Sequence, residues 1–217
     1  MSLYTKLTWP VVDLAAVCAL QNTLGAGSLL LNGRLGNINV PNQVSFIAAS
    51  MTRSVSITSA VNNSAITFII SGFQNNAPIT DTITGVNANT VYGTEYFDVI
   101  TSITVSGPVN QVSVGTGKAG YMPLLVINTT STINYSVSVI FPASGADINY
   151  TLYKTLDQIN SNYITFNNQI SNLFPILVNQ TTSQIASYQE IANFLLLKIN
   201  SSATPLTDTF DFIFLQS

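Results

Sequence analysis

The chain has 217 residues, with six Lys plus Arg, nine Asp plus Glu and no His, so that 7% of residues are charged and the net charge is −3. About 25% is usual for a globular chain, and the shortfall removes most of the material of acid–base, nucleophilic and metal sites. The Ser–His–Asp arrangement is excluded, and without a basic surface to neutralise phosphates nucleic acid is not an expected partner.

Hydrophobic residues make up 47% and the mean hydropathy is +0.37. That is high for a soluble monomer and points to apolar surface covered by a partner. A chain of this length makes one large or two small domains. No apolar run reaches the ~18 residues of a spanning helix, so no membrane is expected. Lys6 followed by Val11–Leu20 faintly resembles a signal peptide, but Pro10 and Asp13 interrupt it and no small-residue cleavage site follows, so none is expected. The single Cys18 cannot form an intrachain disulfide; in its apolar stretch it is expected to be a small buried residue.

Taken in chain order, the elements are mostly strands. Val11–Leu20 is open between a short helix and a strand, because short apolar runs are not settled by periodicity. Val55-Ser56-Ile57-Thr58 alternates apolar and polar residues, the pattern of a half-buried strand. Ala65–Gly72 is a β-branched run. Gln74-Asn75-Asn76-Ala77-Pro78 then forms a turn, since Asn tolerates left-handed backbone and Pro fixes φ. Ile79–Thr84 alternates again, and the two runs make a hairpin. Val99–Ser106 is the next strand, broken by Gly107-Pro108. Gln111–Val114 follows as a short strand ended by Gly115-Thr116-Gly117.

The second half continues in the same manner. Leu124–Ile127, Ile133–Phe141 and Ile148–Tyr153 are strand candidates, and Pro142-Ala143-Ser144-Gly145 is a turn. Phe174–Val178 is a further apolar run. Gln184–Leu197 holds helix formers near a 3.6 spacing, while its tail, Phe194–Ile199, suits a strand. Phe210–Phe214 closes the chain with Phe on one face. Short strands spaced by turn residues predict an all-β sandwich or barrel. The expectation is two β-sandwich (jelly-roll-like) domains, residues 20–118 and 119–217, behind an N-terminal arm of residues 1–19 that carries Trp9-Pro10. The boundary falls in the Gly-rich stretch Gly115–Gly120, and Ile148–Tyr153 is left free to return to the first domain.

No constellation assigns a catalytic, cofactor-binding or metal-binding residue. A Ser–Lys pair would need one of Lys6, Lys118, Lys154 or Lys198 buried beside a Ser, and nothing in the sequence points to one. Glu95 and Asp98, three apart, face opposite sides on a strand and do not converge. Asp208 and Asp211 read as solvated edge charges. Asp147 and Asn149 offer oxygen ligands without a calcium loop around them, and Gly25-x-Gly27 lacks the rest of a phosphate-binding loop. Most Phe residues belong to cores. Tyr4, Trp9, Tyr92 and Tyr121 lie beside turns or near the N-terminus and are the candidate interface anchors, aromatic residues being enriched at interface cores.

Several segments occur in an order that resembles virion proteins of tailed bacteriophages. They are Leu24-Gly25-Ala26-Gly27 leading into Leu29-Leu30-Leu31-Asn32-Gly33, then Ile66–Gly72, then Ile83-Thr84-Gly85-Val86-Asn87-Ala88-Asn89-Thr90-Val91. Tyr96-Phe97, Ile103–Ser106, Val112–Thr116, Tyr150-Thr151-Leu152 and Phe212–Gln216 follow. Val86 and Asn89 stand where that pattern has Pro and Gly, and residues 158–185 match little of it. The resemblance implies a small non-enzymatic virion component, foremost a capsid decoration (cement) protein that stabilises contacts between major capsid subunits. Its implied partners are copies of itself and major capsid or tail proteins, its place the virion, and no cofactor is implied. From a different class, a receptor- or carbohydrate-binding module of a tail or fibre fits a Tyr-rich β-surface. Low charge and high apolar content favour the first.

Overall fold

The computed structural model describes residues 3–9, 11–36, 43–45, 51–74, 76–122, 125–126, 134–140, 148–155, 174–181, 184–189, 194–202 and 210–216. Among them are seventeen strands and no helix. The chain is all-β, and its described strand pairings are antiparallel. It divides into two compact units, Val12–Gly120 and Met1–Val11 with Tyr121–Ser217. The first strand, β1 (Leu3–Trp9), belongs to the second of these.

The unit Val12–Gly120 holds β2 (Cys18–Gln21), β3 (Gly27–Ser28), β4 (Val44–Ser45), β5 (Thr52–Ser59), β6 (Thr67–Gln74), β7 (Ala77–Thr84), β8 (Thr90–Tyr92), β9 (Val99–Val105) and β10 (Val112–Tyr121). One sheet runs β2, β10, β5, β8; the other runs β3, β9, β6, β7, with β4 also on β9. A single core takes side chains from both: Val55, Ile57, Val112 and Val114 from the first, Phe68, Ile70, Ile83, Ile100 and Ile103 from the second. The alternation seen in the sequence creates this core, because every second side chain of a strand points the same way.

The expected hairpin is β6 and β7, paired from Thr67↔Thr84 to Gln74↔Ala77. Asn76 takes φ 64°, the left-handed conformation that Asn tolerates best after Gly. Pro78 lies inside β7, opposite Phe73, rather than in the turn. It is accommodated because β7 is the edge of its sheet, where a missing N–H breaks no ladder. Of the open segment Val11–Leu20, the end forms a strand: Cys18 pairs with Val114.

The Gly115-Thr116-Gly117 stretch does not end a strand; β10 runs through it for ten residues. These glycines let other backbone come close. A Cβ on Gly115 would collide with the Asp13 carbonyl oxygen and the Leu14 backbone, and one on Gly117 would collide with Ser54. Thr116 between them fastens the crossing: its N–H donates to the Asp13 carbonyl at 2.8 Å and its Oγ1 accepts from the Asp13 N–H at 2.8 Å.

The second unit holds β1 with β11 (Leu125–Val126), β12 (Asn134–Ile140), β13 (Ile148–Thr155), β14 (Phe174–Gln180), β15 (Gln184–Gln189), β16 (Phe194–Ser202) and β17 (Phe210–Gln216). One sheet has the order β1-β17-β12-β15; in the other, β14, β13 and β16 are neighbours and β11 pairs with β16. Residues 3–9 of the expected arm pair along their whole length with β17, from Leu3↔Gln216 to Trp9↔Phe210. This is why the first eleven residues group with the C-terminal half. The ambiguous Gln184–Leu197 gives two strands, β15 and the start of β16, and no helix over the described residues. The expected turn at 142–145 and Asp208 lie outside the described residues, as does Asp147. Buried here are Tyr150, Leu152, Leu195, Leu196, Leu197 and Ile199. Asn200 Nδ2 donates to Asn149 Oδ1 at 2.8 Å and to Thr151 Oγ1 at 2.9 Å, an uncharged polar link across β13 and β16.

Gly115→Ala is expected to cost about 1–3 kcal/mol, the usual penalty of overpacking, in urea unfolding. Gly25→Ala, where a Cβ meets nothing within 4 Å, is expected to stay within about 0.5 kcal/mol of wild type. Cys18 is fully buried, and burial pushes its thiol up from 9.0 to about 12. Above pH 9 the unfolded chain releases this proton while the folded chain holds it, so its contribution, complete below pH 9, is lost as pH rises toward 12. Unfolding free energy measured from pH 8 to 11 is expected to fall by up to about 1.4 kcal/mol per pH unit from this group, and Cys18→Ala removes that slope.

Candidate interaction surface

The outer face of the sheet β3-β9-β6-β7 carries an unusual combination of side chains. On β6, Phe68, Ile70, Gly72 and Gln74 are buried, while Ile69 and Phe73 point outward with 41% and 39% exposure. The register sets Ile69 between Thr82 of β7 and Thr104 of β9, and Ser71 between Thr80 and Ser102. Thr84 lies beside Thr67 at one end, and Pro78 beside Phe73 at the other. Thr80, Thr82 and Thr84 are exposed. An extra residue, Thr101, bulges from β9 between the partners of Ser71 and Gly72, and its Oγ1 donates to the Ser71 carbonyl at 3.1 Å. Such a bulge increases local twist and shifts the side chains beyond it.

At the other edge, Ser28 pairs with Thr104 and is exposed. Leu29 turns inward, its N–H donating to the Ile103 carbonyl at 2.8 Å, and Leu30 turns outward with 62% exposure. The Leu30 backbone is held by one side-chain amide: Gln21 Nε2 donates to the Leu30 carbonyl and Gln21 Oε1 accepts its N–H, both at 3.0 Å. Asn32 adds a single bond, its Oδ1 accepting the N–H of Ala19 in β2 at 3.0 Å. Leu20 of β2 and Leu24, between β2 and β3, are exposed as well.

The five strands of this sheet contain one charged residue, Asp81. It is buried, on the inward side shared with Ile79 and Ile83. Its Oδ2 accepts the N–H groups of Thr94 and Glu95 at 2.9 and 3.2 Å. A Cβ on Gly93 would collide with that oxygen, so the Gly93–Glu95 loop closes tightly on the carboxylate. What remains outside is a face of hydroxyls and three large apolar side chains. Such a face can bury apolar area and exchange neutral hydrogen bonds with a partner.

The four aromatic residues singled out in the sequence do not gather on this face. Trp9 and Tyr121 are buried within the chain. The Lys198 ammonium lies over the Tyr121 ring, 5.6 Å from its centroid. Tyr92 is partly exposed at the end of β8, with the Lys118 ammonium 4.5 Å above its ring; partial burial raises its phenol above the usual value. Tyr4 sits on β1 opposite Leu215. Glu95 and Asp98 flank the buried Phe97 and do not form a pair: the Glu95 backbone serves Asp81, and the Asp98 N–H donates to the Phe73 carbonyl at 2.8 Å. Among the described residues no three His, Cys, Asp or Glu side chains are grouped to hold a metal ion.

One cation is fully enclosed. Arg53 is 2% exposed, and its Nη2 donates to the Gly117 carbonyl at 2.8 Å. Burial pulls its guanidinium down to about 9, opposed by the Asp13 carboxylate, which also pairs with the exposed Arg34 at 3.1 Å. Arg53 therefore stays charged at neutral pH and braces β5 against β10.

No protein-family model matches this chain, and no curated protein or solved structure is found to be similar to it.

Asp81→Ala is expected to leave two backbone donors without their acceptor and to cost about 1–3 kcal/mol. Hydrogen exchange should report faster exchange at Thr94 and Glu95 while the β6 and β9 amides stay protected.

Proposed function

We propose that this chain is a non-enzymatic structural protein of a virion, foremost a decoration (cement) protein that bridges major capsid subunits, with tail proteins as the other class of partner. The observation that carries this reading is the uncharged outer face of β3-β9-β6-β7, with Leu30, Ile69 and Phe73 open to solvent. An adhesive face of this kind holds by apolar burial and by hydroxyl hydrogen bonds. Each neutral hydrogen bond adds about 0.5–1.5 kcal/mol, and neither contribution is screened by salt as an ion pair is. The ordered resemblance to tailed-phage virion proteins supports the same reading. So does the core of the unit Val12–Gly120, which is filled from two sheets as in a β-sandwich. The arm enters this proposal in a narrower form: β1 would exchange onto β17 of a neighbouring copy.

The test is mass spectrometry of purified particles from the source of this sequence, after a density gradient in 1 M salt. The chain is expected to co-sediment with the particles at a fixed copy number, and Ile69→Glu with Phe73→Glu is expected to release it. Absence from particles, together with saturable glycan binding that Tyr92→Ala abolishes, would replace this reading with the receptor-binding one.

A further inference from the structure

We infer that the outer face of β3-β9-β6-β7 docks against the same face of a second copy, related by a two-fold axis. The inference rests on the proposed function's reading of this face as the contact surface and narrows its occupant to a second copy of this chain, so that copies act on a shell as pairs.

A two-fold interface brings each residue type against a copy of the same patch, so the patch must complement itself. A charged group at the axis fails this condition, because it meets its own copy and like charges repel. In a chain of net charge −3, the sheet face is a surface where two copies meet without that penalty: its one charged residue, Asp81, is turned inward and buried. Hydroxyls meet the condition best, since each is a donor and an acceptor at once. Thr82 and Thr104 flank Ile69 in one row across the sheet, so a rotated copy presents hydroxyls to hydroxyls and an apolar centre to an apolar centre. A partner carrying Lys or Asp would instead leave those charges desolvated and unpaired against this face.

The size of the face sets the strength. Strands of two, seven, eight and eight residues, about 4.8 Å apart with about 3.3 Å per residue, cover roughly 400 Å² per copy. A standard interface covers about 800 Å² per partner. The dimer is therefore expected to dissociate in the micromolar range and to gain strength where other contacts repeat it.

The experiment is sedimentation equilibrium of the full chain, wild type and variants, at 0.1 and 1 M salt. Wild type is expected to form dimers whose dissociation constant changes less than threefold with salt. Ile69→Glu and Ile69→Lys, each alone, are expected to weaken dimerisation at least 30-fold, because each sets like charges across the axis. Mixing the two variants is expected to restore the dimer. Circular dichroism of the variants checks that an exposed substitution has left the fold intact, and Val178→Glu, exposed in the other unit, is expected to change nothing. A monomeric wild type at 100 μM, unimpaired dimers of the single variants, or a mixture that stays monomeric would each overturn the two-fold docking. If the chain still co-sediments with particles in that case, the face serves a different protein and the structural role stands.

Discussion

The crossing of Asp13 and Leu14 over β10 is the constraint from which the rest of the unit Val12–Gly120 follows. Gly115 makes room for it and Thr116 fastens it from both sides. From there the chain has one way onward. The Val17 N–H donates to the Val114 carbonyl at 2.9 Å, and Cys18 enters the sheet opposite Val114. The returning segment is tied to the same turn, with Gly33 and Leu35 donating to the carbonyls of Val17 and Ala16 at 2.9 and 2.8 Å. These ties place Gln21 where its amide clamps the Leu30 backbone, and so they decide that Leu29 and Leu31 enter the core while Leu30 faces water. One backbone-to-backbone approach, too close for any side chain, thus links the edge of one sheet to the edge of the other.

Low charge shapes how this unit satisfies its polar groups. A chain with few ions must close its turns and strand ends with neutral side chains, and it does so with Gln21, Asn32, Asn63 and Thr116. Asn63 is representative: its Nδ2 donates to the Asn110 carbonyl at 2.8 Å and its Oδ1 accepts the Asn110 N–H at 3.1 Å. Each such pairing is individually modest, but none is lost to salt or to pH near neutrality. Asp81, whose buried carboxylate holds the Thr94 and Glu95 N–H groups, and Arg53 are exceptions. Removing a guanidinium from water is costly, and the chain offsets that cost with the Gly117 carbonyl and the nearby Asp13 carboxylate. Asp13 therefore acts twice, through its backbone at the crossing and through its carboxylate between Arg34 and Arg53.

How much of this was legible in the sequence depended on whether the signal was local. The hairpin of β6 and β7 was legible because alternation, β-branching and an Asn turn all point the same way. The strand at Phe210–Gln216 was legible, but its pairing with Leu3–Trp9, some two hundred residues away, leaves no local trace. Gly115 and Gly117 read as a break because glycine in a strand and glycine in a linker look alike; only the approach of Asp13 and Ser54 separates them. Two of the aromatic residues chosen as anchors show the same limit of local signal. Trp9 and Tyr121 are near turns or termini in sequence and yet buried in space. The surface feature that was missed had a signal: Phe68-Ile69-Ile70 breaks the alternation of apolar and polar residues, so one of the three had to face outward.

The edge of this sheet is closed to a partner strand in a way that its face is not. An exposed edge strand invites another strand to add to it, and natural sheets block that with Pro, inward charges or a covering loop. β7 has all three. Pro78 removes a donor near its start, Asp81 places a carboxylate on its inner side, and the Gly93–Glu95 loop is pinned to that carboxylate. Strand addition there would meet a missing N–H and disturb a buried anion that holds two backbone donors. The outer face has no comparable defence: Ile69, Phe73 and Leu30 lie open, and no charge stands among them to keep an uncharged surface away. A sheet that blocks strand addition at this edge while leaving Ile69, Phe73 and Leu30 open directs association away from the edge and toward the face.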